Sequence, residues 1–212
     1  MKVKVCGMRD AANMEQIAAL NPDFMGFIFY DKSPRYVGED FDAELVKSLP
    51  RKIQKVGVFV NASIDFILRT VKKYELDYAQ LHGNETPDYC KSLRMRGVSV
   101  IKAFAVDASF NFSMLNNYKP HCDFFLFDAK GQNPGGNGFA FDWRVLSRYD
   151  NEKPFFLSGG IGVDNLDEID NLRGMKLYGV DVNSKIEIEP GLKNPDQLKE
   201  ILTRLKPVEE EV

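Results

Sequence analysis

Eight short apolar runs recur along this 212-residue chain, and most of them lead into a residue that is polar, reactive or glycine. They cover residues 3–6, 24–29, 55–60, 78–81, 98–104, 124–127, 155–157 and 178–182. Their starts lie roughly 20 to 30 residues apart, the length of one strand-and-helix unit. Cys6 closes the first run, and Arg35 follows the second after a short loop. His82, Asp128, Ser158-Gly159-Gly160 and Asp181 follow the fourth, sixth, seventh and eighth. Such residues at the downstream ends of many runs build one site from many strands. That is how a (β/α)8 barrel composes a site, at the C-terminal mouth of its strands.

The segments between the runs carry helical spacing: Met14, Ile17 and Ala18 in one, Ile64, Ile67, Leu68 and Val71 in another. Ser63 offers a capping side chain, and Thr86-Pro87 and Asn194-Pro195 each put proline at a first helical position. Strands alternating with helices imply a parallel sheet covered on both faces, either closed or doubly wound. Two features select the closed barrel. The first run is followed by Cys6-Gly7-Met8-Arg9-Asp10 and not by a dinucleotide-binding glycine pattern. The site-like residues are also spread over six runs, whereas an open sheet gathers them at one switch point. The reading is an α/β fold of eight parallel strands with outer helices, a single TIM barrel over residues 1–206, and an acidic tail, 207–212.

A net charge of −3 and a pI near 5.5 argue against a nucleic-acid partner. The longest clean apolar run, residues 24–30, is too short to span a bilayer. Three cysteines, Cys6, Cys90 and Cys122, without a paired spacing, and two histidines, His82 and His121, point to neither a disulfide framework nor a metal site. Arg9 and Asp10 interrupt any secretory apolar segment, so a reduced, cytoplasmic enzyme is expected.

Cys6 reads either as a small buried apolar side chain or as a thiol at the barrel mouth. Lys4 shares its strand face one layer deeper, and a cation there is expected to depress the thiol pKa. Asp128 reads either as a loop cap or as a carboxyl across the pocket from Cys6, and two such groups suit proton exchange with a substrate. The loops after the seventh and eighth runs, with Gly159, Gly160, Asn183 and Ser184, fit a phosphate cradle of backbone N–H groups. The planar fork of Arg35 suits a carboxylate. His82 reads as a hydrogen-bonding wall residue, Cys90 as core, and Trp143 as packing a helix onto the barrel.

Taken together, Lys4-Val5-Cys6-Gly7, Lys32-Ser33-Pro34-Arg35, Gln80-Leu81-His82-Gly83, Gly135-Gly136-Asn137-Gly138 with Phe141-Asp142-Trp143, Leu157-Ser158-Gly159-Gly160 and Glu189-Pro190-Gly191-Leu192-Lys193 resemble the phosphoribosylanthranilate isomerases of tryptophan biosynthesis. The resemblance runs in order over nearly the whole chain. It implies a cofactor-free and metal-free Amadori rearrangement of a small phosphoribosyl substrate by a monomer or homodimer. On matching positions, it implies Asp128 as general acid, Cys6 as general base, Arg35 on the anthranilate carboxylate, Asp181 at the bridging amine, and Gly160 and Ser184 at the phosphate. The chain departs from the family pattern at Asn183 for a serine, Lys185 for a glycine and Asn137 for a threonine. A related histidine-pathway isomerase would carry aspartate in place of Cys6 and a glycine-rich loop after the third run, where Val60-Asn61-Ala62-Ser63 stands instead.

Overall fold

A computed structural model of the chain describes residues 1–129 and 143–206. The glycine-rich segment after Asp128, including Asn137, and the acidic tail lie outside the described residues. The strands are β1 (Lys2–Val5), β2 (Phe24–Ile28), β3 (Gln54–Phe59), β4 (Tyr78–Leu81), β5 (Ser99–Val106), β6 (Phe124–Ala129), β7 (Phe155–Ser158) and β8 (Leu177–Val182). Each runs parallel to its neighbour, and β8 pairs back onto β1, which closes the barrel that the sequence predicts.

The α-helices are α1 (Ala11–Ala19), α2 (Ala43–Lys47), α3 (Ile64–Tyr74), α4 (Pro87–Arg94) and α5 (Pro195–Leu205). Their starts follow the predicted chemistry. Ser63 accepts from Phe66 N–H at 3.2 Å, Thr86 from Tyr89 N–H at 3.2 Å, and Asn194 from Asp196 N–H at 3.0 Å. Among the described residues, no helix is long and apolar enough to cross a membrane.

After β5, β6 and β7 the coverings differ from ordinary helices: they are 3-10 helices, at Phe112–Asn117, Trp143–Arg148 and Val163–Leu172. Their apolar spacing explains this. Phe112, Leu115 and Tyr118 are buried at strict intervals of three, as are Trp143, Leu146 and Tyr149, and Leu166, Ile169 and Leu172. A strict three-residue repeat forms one eclipsed stripe only at three residues per turn. The α-helices instead bury the mixed spacing seen in Leu198, Ile201 and Leu202 of α5.

Two apolar bodies result. The larger lies between the strands and their outer helices. The smaller fills the barrel interior with Phe24, Val56, Ile101, Ala103, Leu126 and Phe156, bordered by Tyr78, Phe124 and Tyr178. Phe156 meets Phe24, Phe124 and Tyr178 edge-on, with ring centroids 5.2, 5.5 and 5.4 Å away. This aromatic plug fills the interior toward the end at which the strands begin. Strand β8 carries an irregularity that matters there. Phe155 pairs with Leu177 but Phe156 with Gly179, so Tyr178 is an extra residue. The bulge lets Tyr178 join the plug while Asp181, three residues on, also faces inward. Regular alternation would set those two on opposite faces.

Phe156→Ala should lower the free energy of unfolding by about 3–5 kcal/mol, read as a lower denaturant midpoint at unchanged slope. A loss below about 1 kcal/mol would contradict a close-packed interior.

Candidate active site

Above the plug, Lys4 Nζ donates to Asp181 Oδ1 at 2.8 Å, and both side chains are buried. Ser158 Oγ donates to the other carboxylate oxygen at 3.3 Å. Gly26 makes space for this arrangement. A Cβ there would lie 2.8 Å from Cys6 Sγ and 3.3 Å from Lys4 Nζ, so the thiol and the ammonium occupy the room a side chain would take. Burial draws the Lys4 pKa down, but Asp181 and Cys6 together outweigh it and leave it raised, which keeps the ammonium charged.

The expectation of a depressed thiol pKa at Cys6 is overturned. Burial pushes the thiol up and the Asp181 carboxylate adds to this, while the Lys4 and Lys193 cations offset only part. Lys4 is committed to Asp181, which arrives from the far end of the chain. The pair presents the thiol with nearly balanced charge in place of a free cation.

A cavity of about 260 Å³ opens at the C-terminal ends of the strands. Cys6, His82, Asp128, Ser158 and Asp181 line it, together with Gly159–Gly160 and residues 183–185. Gly159 and Gly160 both have positive φ, +94° and +72°, a backbone turn that glycine adopts without strain. Asn165 braces this loop, accepting from Gly162 N–H and donating to the Gly160 carbonyl, each at 2.9 Å. A Cβ on Gly162 would come within 2.9 Å of Lys185 Cβ, so the Lys185 stem lies across the loop after β7 and brings its side chain to the cavity wall.

His82 bridges to Asp128. Gln80 Nε2 donates to His82 Nδ1 at 2.9 Å, which makes Nδ1 the acceptor and leaves Nε2 to donate to Asp128 Oδ2 at 3.2 Å. The backbone on either side of His82 is also held, since Lys102 Nζ takes the Leu81 and Gly83 carbonyls at 3.1 and 2.8 Å. Lys102 in turn faces Glu85, 3.2 Å away and buried with it.

Arg35 stands at the rim and not in the cavity wall. Its fork engages Glu187 in a bidentate pair, with Nε at 2.9 and 3.0 Å and Nη2 at 2.6 Å. Glu187 begins a hairpin of β9 (Glu187–Glu189) and β10 (Leu192–Lys193), and Lys193 Nζ lies 2.6 Å from it. Burial draws Lys193 below the ordinary lysine value despite that partner. Burial pushes Glu187 up, but Arg35, Lys193 and the Gly191 N–H more than offset it and bring it down to about 2. Glu187, Lys193, Gln80, Lys102 and Asn165 are absent from the residues picked out by sequence. Of these, only Gln80 and Lys193 lie in quoted motifs. Among the described residues, no three His, Cys, Asp or Glu side chains gather as a metal-ligand set.

The fold and cavity define a (β/α)8 barrel whose mouth sets a thiol and a carboxyl around one small pocket beneath a glycine turn. The family model for N-(5'-phosphoribosyl)anthranilate isomerase matches residues 3–204. The chain belongs to that family. It is 44% identical to the N-(5'-phosphoribosyl)anthranilate isomerase of Parabacteroides distasonis over 97% of its own length and 93% of that protein's. A solved phosphoribosylanthranilate isomerase from Thermotoga maritima superposes with a TM-score of 0.83 at 32% identity, covering 97% of this chain and 98% of that one. Another, solved with reduced 1-(o-carboxyphenylamino)-1-deoxyribulose 5-phosphate, gives 0.79 at 30% identity, covering 96% and 97%.

Two measurements test these electrostatics. The ultraviolet thiolate difference titration between wild type and Cys6→Ser should place Cys6 above the ordinary thiol range, and Asp181→Asn should bring it down. An ionisation below that range would restore Lys4 as the dominant influence. Glu187 has a folded pKa of about 2 against an ordinary 4.5, so the unfolded chain binds its proton more readily. The stabilisation is complete above about pH 4.5, falls away on acidification and is gone below about pH 2. The stability gap between wild type and Glu187→Gln should therefore narrow by about 2 kcal/mol from about pH 6 to about pH 3. A gap constant with pH would contradict the ion pairing.

Proposed function

We propose that this chain catalyses the Amadori rearrangement of N-(5-phosphoribosyl)anthranilate to 1-(2-carboxyphenylamino)-1-deoxyribulose 5-phosphate, a step of tryptophan biosynthesis. The observation that carries the reading is that Cys6 and Asp128, from well-separated strands, line the same cavity in a member of this family. Asp128 is the general acid. With one carboxyl oxygen accepting from His82, its proton sits on the other, from which it passes to the ribose ring oxygen. The C1–O bond breaks as the nitrogen lone pair forms the Schiff base. Cys6, as thiolate, takes the C2 proton; the electron pair closes the C1–C2 double bond, and the enolamine tautomerises to the ketose amine. Because the resting Cys6 is held as thiol, the reactive thiolate is a minority form of the free enzyme.

Arg35 receives the anthranilate carboxylate and Asp181 holds the bridging amine. The turn at Gly159 and Gly160, with Asn183 and Ser184, cradles the phosphate, and Lys185 brings an ammonium to the same wall. The reading carries with it a reduced, cytoplasmic setting, in keeping with three free cysteines. It also carries a monomer or a homodimer, the Thermotoga maritima relative being described as dimeric.

The protein should discharge the anthranilate fluorescence of the substrate with no added metal or nucleotide. Cys6→Ser and Asp128→Asn should each lose about 10²- to 10⁴-fold in kcat with little change in KM. Near-normal turnover by Cys6→Ala would remove the thiol from the mechanism, and no turnover by the wild-type protein would leave a phosphosugar-binding barrel.

A further inference from the structure

The fork of Arg35 is occupied along one edge before any substrate arrives. Glu187 takes the side edge, accepting from Nε and from Nη2. A guanidinium carries five N–H groups, so this leaves the end edge, formed by Nη1 and the second hydrogen of Nη2. Among the described residues, Nη1 has no partner. One carboxylate therefore sits on the side edge, and the geometry of the fork reserves a second place for another.

Glu187 is itself fixed from several directions. Its Oε1 accepts from Lys193 Nζ at 2.6 Å and from the Gly191 N–H at 3.0 Å. The backbone of Lys193 is bonded both ways to Asn13 of α1, at 2.8 Å each, which anchors the hairpin to the barrel's outer layer. Lys193 Nζ also reaches Asn183 Oδ1 at 2.6 Å and the Asn183 carbonyl at 3.4 Å. Three oxygen acceptors around one nitrogen are the surroundings of an ammonium. Lys193 thus balances Glu187 and leaves the charge of Arg35 without a neutralising partner.

The stem of Arg35 is seated as closely as its head. Gly7 has a φ of +76°, and a Cβ there would fall 2.8 Å from Arg35 Cδ and 3.0 Å from Asn183 Oδ1. The arginine lies against the backbone of the residue next to Cys6, at the edge of the cavity.

We propose that Glu187, backed by Lys193, is a positioning residue that fixes the end edge of Arg35 for a single substrate carboxylate, and so selects an aryl amine bearing that group over one without it. This rests on the reading that Arg35 meets the substrate carboxylate. A preset fork loses less freedom on binding than a mobile one, so the gain appears as discrimination between ligands and not as general tightness.

The test compares the affinities of two ligands by calorimetry: reduced 1-(o-carboxyphenylamino)-1-deoxyribulose 5-phosphate, and its phenylamino counterpart without the carboxylate. Wild type should prefer the first by about 10- to 100-fold, the range of a charge-assisted bidentate contact. Arg35→Ala should abolish that preference. Glu187→Gln should cut it about tenfold while leaving the affinity for the phenylamino ligand within about twofold. The charge-balanced variant Glu187→Gln/Lys193→Met should do the same, and serves if the single change fails to fold with an unpaired buried lysine. A purely structural Glu187 would weaken both ligands equally, which overturns the proposal. A preference that rises in Glu187→Gln also overturns it, because Glu187 would then be competing for the fork. No preference in wild type, or none lost in Arg35→Ala, would instead sink the underlying assignment of Arg35.

Discussion

The buried pair of Lys4 and Asp181 is the interaction on which the rest of the barrel mouth depends. It joins the first strand to the last, at the seam where the sheet closes, between partners 177 positions apart in the chain. It forms the floor of the cavity and the top of the aromatic plug. Two charges taken out of water gain little net stability from each other, whereas removing one leaves the other buried and costs about 3–5 kcal/mol. The pair therefore acts less as a source of stability than as a condition for closure. A barrel closed in the wrong register would bury an unpaired ammonium.

The architecture is legible in the sequence because it depends on local signals. The apolar runs, the capping residues Ser63, Thr86 and Asn194, and the polar residues at strand ends are each visible within a few neighbours. The spacing of three in Phe112, Leu115 and Tyr118 was equally visible and distinguishes a 3-10 covering from an α-helix. What could not be read was set by contacts between distant segments. Strand alternation sets Lys4 beneath Cys6, but the thiol is governed by its burial and by the distant Asp181 and Lys193 as well as by Lys4. The fork of Arg35 is visible in the sequence, while the carboxylate gripping it, Glu187, lies 152 positions away. Glu85 and Lys102 likewise look unremarkable one at a time, and only the pairing of β4 beside β5 makes them one buried unit.

Around Cys6 the charges come in two sets of different character. Lys4 and Asp181 cancel within the barrel, and Lys193 and Glu187 cancel in the hairpin beside it. Arg35 adds one cation at the rim. The interior is thus prepared to admit an anionic ligand without holding an uncompensated charge in its deepest layer.

The bulge at Tyr178 changes how this strand can tolerate alteration over time. The direction in which Asp181 points is set by the pairing register of β8, with the bulge taking up its extra residue, and not by the chemical identity of the residues between. Many side chains could replace Leu177 or Val180 and keep the face of the strand unchanged. Losing one residue between Tyr178 and Asp181 would absorb the bulge, leaving the two side chains two positions apart, where regular alternation still turns both inward. Gradual substitution and the loss of a single codon at the bulge would therefore both leave the carboxylate facing the site.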